Sequence, residues 1–516
     1  MKIVSVKQMK AIDKISIEQF GIAGVVLMEK AGMEVVSMIK DYIKELTNIP
    51  ALVICGKGNN GGDGFVVSRL LFQEGADVVV LILGKEKEIK GDALVNFKII
   101  KKLGIQYTEI DKINNNKLKN LFNSAEIIVD AIFGTGFRGE PKGVYKKIIE
   151  MINSIDKLVF SIDIPSGVDA DTGQVLGEGV FADATCTMGM IKKGMLLYPA
   201  RYYTGKLYIG NIGIPMDNIL DELNIETELI DDDFVAKILP LRFPYSHKGN
   251  YGKVFVIAGS KGMTGASVLS SEAALRAGAG LVYVGVPDSL MDIFEAKLTE
   301  VIKVPLKGGN GVLELEALGD IYEFAKDKDV VLIGPGLSRC EELKKLEKKL
   351  FPKFKKRHLV IDADGINNMN ISLLEYSQGN WVLTPHPGEF SKLSGFSIDE
   401  IESNRIEIAR KFAIEHRVIL VLKGVPTVVA SPDGTAYINS TGNSGLASGG
   451  SGDILSGLIA GFISQGATPL EASISGVYIH GLSADIAVEE TTEYSLIAGD
   501  LLNYIGKAIK KIMGAS

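Results

Sequence analysis

The stretch from Gly449 to Asp453, GGSGD, sets a glycine run beside a carboxylate. Glycine lets backbone approach a ligand closely, and the first N–H groups of a helix have no internal partner. Such a terminus binds phosphate, helped by the helix dipole. A carboxylate at Asp453 could take a proton from an attacking hydroxyl, the base's part in phosphoryl transfer. The plainer alternative is a flexible loop in which Asp453 is a helix N-cap. A Walker loop is excluded, because GSKGMTGAS lacks the G-K-[ST] ending. KGVPT, from Lys423 to Thr427, offers an ammonium and backbone amides to nucleotide phosphates. TPHPGE sets His386 between two prolines, which limit the loop's freedom, so His386 is expected to line a substrate pocket. Glu389 and Asp364 are candidate magnesium partners, through oxygens or water.

A second set of chemistry-bearing residues lies in the first half. In ICGKGNNGGDGF, Gly56, Gly58 and Gly61 fit the spacing of a dinucleotide fingerprint. That fingerprint needs an acidic residue at the end of the next strand, and DVVVLILG ends at Gly84 without one. Asn59, Asn60 and Asp63 are surplus to a loop that only cradles pyrophosphate, so a polar-ligand loop is expected rather than an ordinary redox cofactor site. Asp130 ends EIIVDAIFG, and Asp163 ends VFSIDIPSG. Parallel strands would bring these tips to one edge. Asn and Asp oxygens with the Ser166 hydroxyl would suit a hard cation. The alternative is that Asp130 and Asp163 merely cap turns.

The elements that must position these residues read as two α/β halves. A chain of 516 residues is long for one core, and 46% hydrophobic with 23% charged residues describes a globular protein. A net charge of −7 gives no nucleic-acid footprint. Cys55, Cys186 and Cys340 are far apart, which excludes a disulfide framework or zinc knuckle and fits a cytoplasmic setting. The N-terminal apolar run IAGVVLM is too short to span a bilayer, and charges at Asp13, Lys14 and Glu18 break any signal-peptide core. That segment reads as helix. ALVICG, DVVVLILG, EIIVDAIFG and KLVFSIDIP alternate with helical patterns, implying βαβ units and a parallel sheet. KVFVIAGS, VVLIGPG, HLVIDADG, WVLTPHPGE and VILVLKGVPT repeat that plan after an acidic stretch, Met216 to Asp233, without a strong core pattern. The boundary is placed there, giving domains 1–220 and 225–516.

GSGD after a glycine-rich strand series resembles the ribokinase-like superfamily. KGNYGKVFVIAGSKGMTGASVLSSEAALRAGAGLVYVGVP, DADG, TPHPGE and SGGSGD resemble the ADP-dependent NAD(P)H-hydrate dehydratases. GNNGGDG, DAIFGTGFRG and IDIPSGVDADTG resemble the NAD(P)H-hydrate epimerases, and the two halves follow the order of the bifunctional bacterial repair enzymes. The resemblance implies a Rossmann-like three-layer domain followed by a ribokinase-like α/β/α domain. It implies potassium held by Asn60, Asp130 and Ser166. The substrate would lie along Asn59, Asn60, Gly61, Gly62 and Asp63, and along Gly134, Thr135, Gly136, Phe137, Arg138, Gly139 and Glu140. Asp163 would sit near the reacting ring, and Lys192 would assist acid–base work or bind phosphate.

In the second domain the resemblance implies that Ala266, Gly336, His386 and Asp453 meet the hydrate. Nucleotide would meet Lys423, Gly424, Val425, Pro426, Thr427 and Asn443, then Gly449, Gly450, Ser451 and Gly452. The implied activity is repair of hydrated NADH and NADPH, whose added hydroxyl at C6 exists in R and S forms. The first domain would interconvert the epimers. The second would phosphorylate the S hydroxyl from ADP with magnesium, release AMP, and eliminate phosphate. The rival is a ribokinase-like small-molecule kinase fused to a ligand-binding domain, which would release a stable phosphorylated product. A non-enzymatic interaction role for the first half is a further alternative. A cytoplasmic homo-oligomer acting on small molecules, without nucleic-acid or membrane partners, is expected.

Overall fold

The computed structural model describes residues 1–220 and 222–514. They divide into two units, Lys2–Ile225 and Glu226–Ser516 together with Met1. In the first unit the strands are β1 (Pro50–Cys55), β2 (Asp77–Ile82), β3 (Gln106–Glu109), β4 (Ile127–Ala131), β5 (Leu158–Ile162), β6 (Ala184–Met188) and β7 (Lys206–Gly210). They form one sheet in the order β3-β2-β1-β4-β5-β6-β7, and every pairing is parallel.

β1 and β4 read as continuous apolar runs because a parallel strand is covered on both faces; Val53, Ile54, Ile128 and Val129 are fully buried. The sequence pattern points to β1, β2, β4 and β5 but not to the other three. β3 and β7 are edge strands, and β6 carries Thr185 and Thr187 inward, where both are fully buried. Thr185 donates to the Thr204 carbonyl at 2.7 Å, so the polar residues that mask β6 are satisfied inside.

Sequence order reverses between β1 and β4, which opens a crevice beyond their carboxyl ends. The N-terminal segment is helical, as its spacing predicts, over Val6–Glu18 and Gly24–Tyr42, and Ser5 with Gln8 makes a capping box at the first start. The helix Asn59–Gln73 follows β1 directly. A Cβ on Gly61 would lie 2.1 Å from the Gly56 carbonyl oxygen, and one on Gly56 would lie 2.1 Å from that of Ile132. These two glycines let the helix start, β1 and the loop after β4 touch backbone to backbone.

The second unit holds β8 (Thr227–Leu229), β9 (Lys253–Ile257), β10 (Leu281–Pro287), β11 (Ile302–Leu306), β12 (Val330–Ile333), β13 (His358–Ile361), β14 (Trp381–Leu383), β15 (Ile419–Leu422), β16 (Val428–Ala430) and β17 (Ala436–Ile438). Their order is β11-β10-β9-β12-β13-β14-β15-β16-β17-β8. Pairings from β11 through β15 are parallel, and β15, β16 and β17 pair antiparallel. β8 lies in the acidic stretch that lacks a core pattern; three residues are too few for periodicity to show.

Helices Thr264–Arg276 and Ser451–Ser464 pack in close contact. A Cβ on Gly457 would lie 2.2 Å from the Ser270 carbonyl oxygen, and one on Gly461 would lie 2.6 Å from the Ala277 Cβ. Helix Ser451–Ser464 is thereby seated against the core, with its N-terminus facing the strand tips of β13 to β15.

Candidate active sites

At the first crevice lies a cavity of about 880 Å³, of the size that takes a nucleotide-like ligand. Of the residues expected from sequence, Asn59, Asn60, Asp63, Gly134, Thr135, Gly136, Phe137, Arg138, Asp163 and Lys192 line it. Gly61 and Gly62 are buried in packing instead, Gly62 against Met28. Glu140 is exposed, 3.9 Å from Lys146. Arg138 Nη2 donates to Asp171 Oδ2 at 2.7 Å, tying GTGFRG to the DADTG loop.

Asp130, at the end of β4, is fully buried and accepts four hydrogen bonds. They come from Ile132 N at 3.2 Å, Ser161 Oγ at 3.0 Å, Ser166 N at 2.8 Å and Ser166 Oγ at 2.6 Å. It therefore braces β5 and the PSG turn against its own strand, which is more than a turn cap. Burial pushes its carboxyl up, and the Ser166 hydrogen bonds are the main opposing influence. Ser166 Oγ also accepts from Phe133 N at 2.9 Å, and Asn60 Nδ2 donates to the Phe133 carbonyl at 2.9 Å. Asn60, Asp130, Ser166 and the Phe133 carbonyl are thus joined in one hydrogen-bonded cluster at the strand tips, and their side-chain and carbonyl oxygens are of the donor type that hard cations take.

Asp163 follows β5 with φ +66°, a left-handed conformation unusual for aspartate and found at functional sites. Its Oδ1 accepts from Lys192 Nζ at 2.5 Å and from Met188 N at 3.2 Å. Lys192 is almost completely buried and donates also to Thr187 Oγ1 and to the Met188 carbonyl, each at 2.9 Å. All three ammonium protons are used, so this lysine orients Asp163 rather than reaching outward. Asp63 is half-buried in the wall, and burial, then the charges of Asp163 and Asp13, pushes its carboxyl well up. Asp13 lines the same cavity. Sequence reading treats Asp13 only as a charge that breaks a signal peptide, and its spacing on the helix with Met9 and Ile17 is the signal that could have found it.

In the second unit the tips of β13, β14 and β15 carry Asp362, Thr384 and Lys423. Asp362 Oδ1 accepts from Thr384 Oγ1 at 2.7 Å and from Lys423 Nζ at 3.0 Å. Sequence reading picks Asp364 from DADG and misses Asp362, although Asp362 stands at a strand end as Asp130 does. Asp364 accepts from Ser338 N at 3.0 Å and Arg339 Nε at 2.8 Å. Glu389 accepts from His386 N at 3.0 Å. His386 is the N-cap of helix Pro387–Ser394, its Nδ1 accepting from Gly388 N at 3.0 Å, with 56% of its side chain exposed.

Gly450 is the N-cap of helix Ser451–Ser464, at φ +97°, and no side chain caps that terminus. Asp453 is therefore inside the first turn, not its N-cap. Burial, then the charge of Asp362, pushes its carboxyl up from 3.8 to about 7, while Lys423 pulls it down. Lys423 Nζ lies 3.1 Å from where a Cβ on Gly452 would sit, so the ammonium rests against the glycine loop.

Asn443 donates to Asp485 Oδ1 at 2.9 Å and accepts from Gly445 N at 3.1 Å, which holds the chain ahead of GGSGD. Ala266 and Gly336 adjoin one another, a Cβ on Gly336 falling 3.0 Å from the Ala266 Cβ. In the KGVPT turn Val425 is 67% exposed, Thr427 Oγ1 donates to the Gly424 carbonyl at 3.1 Å, and Gly424 packs on the Arg405 guanidinium.

If Asp453 is the base, it works only when ionised, and Lys423→Ala, which removes the charge that pulls its carboxyl down, should move the rise of activity with pH toward higher pH. The loss should be larger at about pH 6.5 than at about pH 8.5, and nucleotide affinity should fall more than hydrate affinity. Equal losses at both pH values, with unchanged nucleotide affinity, would rule this role out.

The fold and these two sites define a two-unit α/β enzyme, with a Rossmann-like first unit and a ribokinase-like second unit whose glycine loop adjoins a carboxylate. Residues 254–507 match the family profile described as NAD(P)H-hydrate dehydratase, and residues 24–194 match that described as YjeF-related protein N-terminus. The chain is 38% identical over 519 residues to the bifunctional NAD(P)H-hydrate repair enzyme of Moorella thermoacetica, covering 99% of this chain and 97% of that one. Identity to the namesake of Escherichia coli K12 is 35%, over 89% of this chain and 84% of the other. Among solved structures, the ADP/ATP-dependent NAD(P)H-hydrate dehydratase from Bacillus subtilis, co-crystallised with ATP and Mg2+, is 29% identical. It covers 55% of this chain and 98% of that chain, with a TM-score of 0.48. The chain belongs to the bifunctional NAD(P)H-hydrate repair enzymes.

Proposed function

We propose that the first unit epimerises the R and S hydrates of NADH and NADPH, and that the second dehydrates the S hydrate at the expense of ADP. The observation that carries the second half is Asp453: a carboxyl raised to about 7 in the first turn of an uncapped helix, beside a glycine loop and Lys423. There the ionised carboxylate takes the proton of the hydrate hydroxyl as its oxygen attacks the terminal phosphoryl group of the nucleotide. The glycine-loop N–H groups stabilise the charge that develops. Phosphate then leaves with the carbon–oxygen bond pair as the neighbouring ring carbon gives up a proton, and that carbon–hydrogen pair re-forms the double bond of the reduced ring.

Magnesium supplies charge neutralisation when it binds with the nucleotide. Among the described residues, no three His, Cys, Asp or Glu side chains converge as a metal cage. That suits an ion carried by phosphates and steadied by one or two carboxylates, for which Asp362, Asp364 and Glu389 are at hand. In the first unit, Asn60, Asp130 and Ser166 would hold potassium, which would supply positive charge beside the loop along which the hydrate lies. The three cysteines are free, which supports a reducing, cytoplasmic setting. Among the described residues no helix is long and apolar enough to cross a membrane.

The test is incubation of the full chain with mixed NADH hydrate epimers and either ADP or ATP, following return of near-ultraviolet absorbance. Complete recovery of both epimers with ADP, with AMP and phosphate as products, is expected. A stable phosphorylated hydrate would instead mark a kinase, and recovery of only the S fraction, beyond spontaneous epimerisation, would remove the epimerase.

A further inference from the structure

The helix Val6–Glu18 turns Met9, Asp13 and Ile17 toward the first cavity, at a spacing of four residues that places them on one face. Asp13 is the carboxyl between two apolar side chains on that face. It is half-buried and makes no hydrogen bond or ion pair among the described residues. Its position is nevertheless fixed. Val4 N donates to the Ile191 carbonyl at 3.0 Å and Lys193 N to the Val4 carbonyl at 2.9 Å, clamping the helix start to the segment that carries Lys192. Val6 N donates to Asp171 Oδ1 at 2.7 Å, and the other Asp171 oxygen holds Arg138. Among the carboxyls that line this cavity, Asp163 is locked to an ammonium, whereas Asp13 is flanked on its own helix by Met9 and Ile17 and has no hydrogen-bond partner among the described residues. Such contrasts assign acid and base roles.

Resting on the epimerase reading of this cavity, we infer that Asp13 is a catalytic acid, giving its proton to the departing hydroxyl of the hydrate. The carbon–oxygen bond breaks as the ring nitrogen's lone pair forms a carbon–nitrogen double bond, and water leaves. Water then adds to the opposite face, the double-bond pair returns to nitrogen, and Asp163 takes the surplus proton. Nothing is oxidised or reduced, and one water is released and one consumed. The pair ends with the same single proton, now placed for the reverse conversion.

Lys192, Asp163 and Asp63 face Asp13 across the cavity, and Lys10 neighbours it on its own helix. Burial is the largest influence on its carboxyl, which is pushed up to about 6; Lys192 opposes and Asp163 adds to it. An acid must hold its proton to act, so R-to-S conversion should fall as the pH rises past about 6.

The experiment uses the full chain, with ADP-dependent dehydration of pure S hydrate as the control. Asp13→Asn should lose about 10²-fold or more in the rate of epimer conversion, with KM changed by less than about threefold, and should lose the alkaline limb of the pH profile. Asp13→Glu keeps an acid and should recover most of the rate together with that limb. If Asp13→Asn converts the epimers at the wild-type rate, or keeps the same limb, the assignment is overturned while the epimerase reading stands. If the wild-type chain does not accelerate interconversion at all, both are overturned.

Discussion

Asp453→Asn should abolish most ADP-dependent dehydration, by about 10²–10⁴-fold, the usual contribution of a positioned general base. Epimerisation in the same chain should be unchanged, because that chemistry belongs to the other unit. The amide keeps the size of the side chain and removes the base, so the loss should appear in kcat more than in KM.

The same substitution should raise stability at neutral and alkaline pH. An unfolded aspartate ionises near pH 3.9, whereas the folded carboxyl of Asp453 holds its proton to about 7. Between those values the folded state binds more protons than the unfolded state, so this group's contribution weakens stability as pH rises through the window. Asparagine carries no such penalty. The variant should therefore melt above wild type at about pH 8 and alongside it near pH 4. Near-normal repair by Asp453→Asn would end the assignment of Asp453 as base. An unaltered melting difference between the two pH values would show instead that the carboxyl is not strained by burial.

Much of this arrangement is legible in the sequence, for a physical reason. Strands buried on both faces must be apolar along their length, so β1, β4, β9 and β13 announce themselves, and polar residues at their carboxyl ends stand out against them. Asp130, Asp163 and the glycine loops are found this way. Asp362 has the same signature, yet the choice between two aspartates in DADG needs the neighbouring strand tips, which sequence does not place. Thr384 takes its meaning only from its bond to Asp362. Asp13 is harder still, because a helix face aimed at a cavity looks like a helix face aimed at solvent. Met9 and Ile17 flank it at helical spacing, but nothing in the spacing says what lies opposite. Edge strands β3, β7 and β8 are short or half-polar, and they fall below what periodicity can show.

Replacing Asp130 should separate its bracing role from its charge, and it bears on the whole first site. Asp130→Ala removes the acceptor for Ile132 N, Ser161 Oγ, Ser166 N and Ser166 Oγ. Each buried donor left unpaired costs about 1–3 kcal/mol, so the first unit should melt at a distinctly lower temperature. Asp130→Asn keeps the shape and one carbonyl acceptor, so it should retain far more stability while losing the negative charge.

If Asp130, Asn60 and Ser166 hold potassium, wild type should gain melting temperature with added potassium against choline at equal ionic strength. A ligand at 100 times its dissociation constant stabilises by about 2.7 kcal/mol, so the effect is measurable. Asp130→Asn should show little of that gain, and its epimerisation should fall and cease to respond to potassium. Dehydration of pure S hydrate should continue in both variants, since Asp453 and its loop are in the other unit. An Asp130→Asn protein that epimerises normally, with the potassium response of wild type, would leave Asp130 as a brace between β4, β5 and the PSG turn, with no part in a cation site.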